Sequence, residues 1–114
     1  MALSSVIGRD AALSQPNFQG LITLSGAYTL DLDTVNQNVI ALDPGGASRD
    51  VTLFAEAHTK GMILDVVNMA DAAENLVMKN AAGNTIVTIG QGYRGTIANV
   101  AGAWFSLGTW AVTL

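Results

Sequence analysis

One histidine, nine carboxylates and a late cluster of aromatic side chains are what this 114-residue sequence offers for chemistry. Hydrolysis or group transfer by side chains needs a nucleophile, a base and a group that orients the base, and a sole histidine removes most of the common arrangements. His58 lies in Glu56-Ala57-His58-Thr59-Lys60-Gly61, a polar stretch between two apolar runs, and reads as a solvated loop residue. Gly90-Gln91-Gly92-Tyr93-Arg94-Gly95 has the glycine spacing of a dinucleotide-binding turn, but no helix-forming segment follows to receive a phosphate at its N-terminus. No cysteine is present, so thiolate nucleophiles, thiolate metal ligands and disulfides are all absent. The carboxylates Asp31 with Asp33, and Asp65 with Asp71 and Glu74, lack the loop spacing of a calcium site and read as solubilising groups. No catalytic residue, cofactor or metal is expected.

Asp65 interrupts the apolar run Met62-Ile63-Leu64-Asp65-Val66-Val67. Turned inward it needs a partner, for which Arg49 and Arg94 are the candidates. The aromatics Tyr93, Trp104, Phe105 and Trp110 suit either stacking on sugar rings or anchoring a protein interface. Adjacent Trp104 and Phe105 must point to opposite sides of a strand, so one of them packs against another sheet or another subunit.

Positioning such residues falls to strands. Short β-branched runs, separated by Gly, Asn, Asp and Pro at sandwich-like spacing, predict an all-β fold, specifically a β-sandwich or jelly-roll-like single domain over residues 21–114. The strands are expected at 21–24, 28–32, 38–42, 49–55, 62–68, 75–80, 85–89, 95–99, 103–107 and 110–114. Tyr28, Leu30 and Leu32 alternate with Thr29, Asp31 and Asp33, which gives that strand one dry and one wet side. Asp43-Pro44-Gly45-Gly46 has the chemistry of a type II turn, Asn80-Ala81-Ala82-Gly83-Asn84 that of a hairpin loop, and Gly90-Gln91-Gly92 that of a further break. Met69–Asn75 alone has the composition of a helical turn.

Residues 1–20 form a separate N-terminal arm in this reading. Leu3, Val6, Ile7, Leu13 and Phe18 follow neither strand nor helix period, and Gln15-Pro16-Asn17 disfavours regular structure. Ser4, Ser5, Gly8, Arg9 and Asp10 break up every apolar group, which excludes an export signal, and no run is long enough to span a bilayer. With 12% charged residues against 50% hydrophobic, a domain this small has more surface than its charges can cover, so neighbouring protein chains are expected to cover the rest. A net charge of −4, with Arg9, Arg49, Lys60, Lys79 and Arg94 as the cations, argues against nucleic acid as a partner.

The stretch from Gly61 through Asp65, Asn68, Asp71, Glu74 and Lys79 to Asn80, then Asn84-Thr85-Ile86-Val87-Thr88-Ile89-Gly90, then Gly102-Ala103-Trp104-Phe105, resembles the small β-proteins of tailed-bacteriophage particles. A strand ending in Asn, a short acidic connection, a hairpin and a glycine-then-Trp end strand recur in them. The resemblance implies a non-enzymatic virion structural protein of the capsid decoration (cement) or head-fibre type, commonly a homotrimer, located at the capsid surface with the major capsid protein or another virion protein as partner. It carries over no defined site. Partner contacts are expected from Leu3, Val6, Ile7, Leu13, Phe18, Tyr93, Trp104 and Trp110, and the alternative is a carbohydrate- or receptor-binding module of a fibre or tail in which Tyr93, Trp104 and Trp110 stack on the ligand.

Overall fold

The computed structural model describes residues 20–32 and 37–112. The expected arm, with Leu3, Val6, Ile7, Leu13 and Phe18, and the carboxylate Asp33 lie outside the described residues. What is described is all-β, mostly strand with almost no helix, in two mixed sheets. Nine strands follow in order: β1 (Leu21–Thr23), β2 (Tyr28–Thr29), β3 (Val39–Asp43), β4 (Arg49–Thr52), β5 (Ile63–Asn68), β6 (Leu76–Lys79), β7 (Thr85–Ile89), β8 (Tyr93–Val100) and β9 (Ala103–Ala111). A single turn of 3-10 helix, Glu56–His58, precedes β5.

The chain crosses between the sheets at almost every step. One sheet runs β1-β3-β5-β8-β9 and the other β2-β4-β6-β7, so from β1 to β6 successive strands alternate between sheets, and each of β1 to β4 pairs in parallel with the strand two places on. The chain therefore winds as a coil with two strands in each turn. Register stacks like positions: Leu21 beside Ala41 beside Val67 on one side of the first sheet, and Ile22 beside Leu42 beside Asn68 on the other. The antiparallel pairs β6–β7, β5–β8 and β8–β9 end the coil. Parallel ladders of this kind differ from the antiparallel neighbours expected of Greek-key sheets.

Both sheets contribute to one hydrophobic core, in which Ile40, Leu42, Leu64, Val66 and Ile97 of the five-stranded sheet meet Val51, Leu76, Met78 and Ile89 of the four-stranded sheet. Burial alternates along β3, β5 and β6, as strands with one face in the core require. Gly95 makes room for this contact, since a Cβ there would lie 2.8 Å from Cδ1 of Ile89.

Turn chemistry explains the corners. Gly45 takes φ +73 after Pro44, its N–H donates to Asp43 Oδ1 at 2.9 Å, and a Cβ at this position would lie 2.1 Å from the carbonyl oxygen of Leu24. Arg49 secures the same turn, its Nε donating to the Pro44 carbonyl at 2.7 Å. The loop Asn80–Asn84 closes the β6–β7 hairpin, with Asn80 Oδ1 accepting from the Asn84 amide at 2.9 Å. Two expectations need correction. Met69–Asn75 is a series of bends, because Asn68 Oδ1 accepts from the Ala70 amide and its Nδ2 donates to the Glu74 carbonyl, which holds the segment open. The strand expected at 103–107 and the start of the one expected at 110–114 are a single strand, β9, which ends at Ala111 and in which Gly108 accompanies a bulge opposite Thr96 and Ile97.

Candidate functional site

The two sheets differ in what they turn outward. In the four-stranded sheet, register places Thr29, Thr52 and Lys79 in one outward row and Asp50, Val77 and Thr88 in the next, and Lys79 pairs with Asp50 at 3.5 Å. This is an ordinary wet face. The five-stranded sheet turns out Leu21, Ala41, Val67, Arg94 and Trp110 in one row, Val39, Asp65, Thr96 and Gly108 in the next, and Ile63, Ala98 and Phe105 in the third. Val39 is 59% exposed, Ile63 53%, Phe105 53% and Trp110 46%. Isolated exposed apolar residues are commonplace, but this sheet face carries them row after row, which sets it apart from the polar face of the other sheet.

The polar groups on this face satisfy one another. Asp65 points outward, and its Oδ1 accepts from the Thr96 hydroxyl at 2.6 Å and lies 4.0 Å from Arg94 Nε. Of the two partners considered for Asp65, Arg94 is the one in place, while Arg49 serves the Pro44 turn. The Arg94 guanidinium sits over the Trp110 ring, 5.3 Å from its centre. Gly108, without a side chain, leaves the indole room to lie close to the backbone: a Cβ there would be 3.3 Å from the ring. Trp110 is thus packed between Arg94 and the backbone at Gly108 while 46% exposed.

Trp104 does not belong to this face. It is 4% exposed, opposite Asn99, and its indole N–H donates to the Phe54 carbonyl at 2.8 Å, so it is a core residue and offers no surface in the isolated domain. Phe105 takes the outward side, as alternation demands, and is an exposed aromatic of this face that was not among the expected partner residues. Tyr93 is exposed, yet its cross-strand neighbour is Ala111 while Arg94 faces Trp110, so Tyr93 and Trp110 point to opposite sides of the sheet. Tyr93, Trp104 and Trp110 therefore do not form one stacking platform.

Elsewhere, a cavity of about 390 Å³ opens at the end of β2 and β4, bounded by Thr29, Asp31, Thr52, Phe54, His58 and Ala81 among others. His58 is exposed, in the 3-10 turn, and the Thr59 hydroxyl beside it donates to the Ala55 carbonyl at 2.9 Å. Among the described residues no three His, Cys, Asp or Glu side chains gather as a metal site, and no helix is long and apolar enough to cross a membrane. Comparison with protein-family models finds no match, and comparisons with curated proteins and with solved structures find none either.

Proposed function

We propose that this chain is a non-enzymatic structural protein of a tailed-bacteriophage particle, a capsid decoration (cement) protein that acts as a homo-oligomer, with a trimer favoured. In this reading its body is a two-layer, sandwich-like or jelly-roll-like domain at the capsid surface, and residues 1–20 reach the major capsid protein or another virion protein. The observation that carries the reading is the contrast between the two outward sheet faces, one polar and one apolar, in a chain with 12% charged residues. A surface of that kind suits a component of an assembly. The virion setting is supported by the resemblance of residues 61–80, 84–90 and 102–105.

Attachment through several arms makes weak contacts sufficient. Burying a side chain such as Leu13 or Phe18 is worth about 1.5–3 kcal/mol, and three copies bound around one axis multiply the effect by avidity. The test is occupancy on isolated capsids for the intact chain and for a chain lacking residues 1–18. The intact chain is expected to bind stoichiometrically, and the shortened one to melt normally but occupy few sites. Failure of the intact chain to bind shells rejects the proposal, and equal occupancy by the shortened chain rejects the role of the arm.

A further inference from the structure

We propose that the outward face of the five-stranded sheet is the surface by which copies of this chain associate, each turning Val39, Ile63, Phe105 and Trp110 toward a common symmetry axis. The inference deepens the functional proposal and rests on its oligomeric part.

Charge identifies the occupant. The chain carries a net charge of −4, so two copies repel on average. This face is the exception. Its central charged groups are one acid and one base, Asp65 and Arg94, on neighbouring strands 4.0 Å apart. Asp43, at the margin, is committed to the Gly45 amide. Asp31, Asp50, Glu56, Asp71 and Glu74 lie on the four-stranded sheet, on the 3-10 turn or in loops. Acid and base offset one another within each copy, so like faces meet without net repulsion, and the surrounding apolar rows need no charged partner. A face with both signs at its centre is electrostatically complementary to itself.

Size agrees. Five strands of 3, 5, 6, 8 and 9 residues, at about 4.8 Å spacing and about 3.3 Å per residue, give a footprint on the order of 500 Å². Side-chain relief makes the accessible area larger than the footprint, which reaches the scale of the roughly 800 Å² per partner in a standard interface. Trp110, fixed by Arg94 and seated over Gly108, supplies the kind of rigid aromatic anchor on which such interfaces depend.

The experiment is the solution mass of the intact chain across a concentration series, by sedimentation equilibrium, with Ile63→Lys, Phe105→Lys and the milder Val39→Thr on the apolar face and Thr88→Lys on the polar face as control. All four positions are solvent-exposed, and circular dichroism and thermal melts verify that each variant folds. The intact chain and Thr88→Lys are expected to be multimeric. Both lysine variants are expected to be monomers, with association weakened at least about a hundredfold, and Val39→Thr to weaken it severalfold. A monomeric intact chain overturns the inference, and so does a multimer whose mass all three face variants leave unchanged. Shell binding is measured separately on the same proteins: association in solution without shell binding rejects the virion reading and leaves the self-association face standing, whereas shell binding by a protein that is always monomeric does the reverse.

Discussion

Replacing Asn68 with leucine should weaken this fold markedly, and the size of the loss follows from what its amide holds. Asn68 ends β5, is 0% exposed, and makes three hydrogen bonds of 2.9 Å: Nδ2 donates to the carbonyls of Glu74 and Ile89, and Oδ1 accepts from the Ala70 amide. It thereby ties the bend after β5 to the end of β7 in the other sheet. Leucine has a similar volume, so little cavity forms, but the three backbone groups lose their partner. Glu74 is half-buried and its carbonyl can turn to water, whereas Ala70 and Ile89 are buried. Two stranded groups at about 1–3 kcal/mol each give a loss of about 2–6 kcal/mol. Against a total stability of about 5–15 kcal/mol, the melting temperature should fall on the order of 10–20 °C. Urea unfolding at constant m-value is the assay, with Asn84→Ala in the exposed hairpin loop as a control expected to lose about 1 kcal/mol or less. A loss below about 1 kcal/mol for Asn68→Leu would mean that the bend does not depend on its amide and would refute the reasoning.

Gly45→Ala should be among the most disruptive single changes, since the new Cβ collides with the Leu24 carbonyl in a backbone conformation that L-residues avoid; a loss of about 3 kcal/mol or more in urea unfolding is expected. Ala101→Asn should do the opposite: Ala101 and Gly102 form the β8–β9 turn with φ 55 and 91, a pairing that Asn-Gly fits best, and a gain of about 0.5–1 kcal/mol is expected in the same assay. In Trp110→Phe the remaining tryptophan, Trp104, should emit as a buried indole shielded from acrylamide, whereas Trp104→Phe should leave a quenchable emitter and a fold weakened by about 1–3 kcal/mol, because the Phe54 carbonyl loses its donor. Lys79→Ala should cost no more than about 1 kcal/mol, the Asp50 pair being half in solvent, and a larger loss in denaturant titration would contradict a wet outer face on that sheet.

Much of the strand pattern was legible because alternation and turn chemistry are local. Pro44 and Gly45 make the expected reversal, Asn80–Asn84 makes the expected hairpin, and Leu30 and Ile40 point into the core as the period of two requires. Direction was not legible, since alternation reads identically in parallel and antiparallel strands; the coil emerges only when β1 is seen beside β3, with β2 elsewhere. Gly108 read as a strand break because a glycine looks alike in a turn and in a bulge. The composition of Met69–Asn75 suggested helix, but three hydrogen bonds from one buried asparagine outweigh the weak propensity of so short a segment. The aromatic pair showed the same boundary: alternation required Trp104 and Phe105 to face apart, while the choice of which one enters the core was made by the Phe54 carbonyl, distant in sequence.

The winding also determines how the molecule yields to a pull. Tension applied through the residues ahead of Gly20 meets β1 first, a three-residue strand at the rim of its sheet, joined only to β3. A short edge strand held by one ladder parts bond by bond, and then the load passes to β2, two residues long and joined only to β4. The β8–β9 ribbon, at the far rim, is the longest pairing in the fold and stays paired until the turns ahead of it have come away. A tether at the N-terminal end therefore behaves as a mechanical fuse: it pays out chain one turn at a time, and the hairpin-closed end stays seated longest.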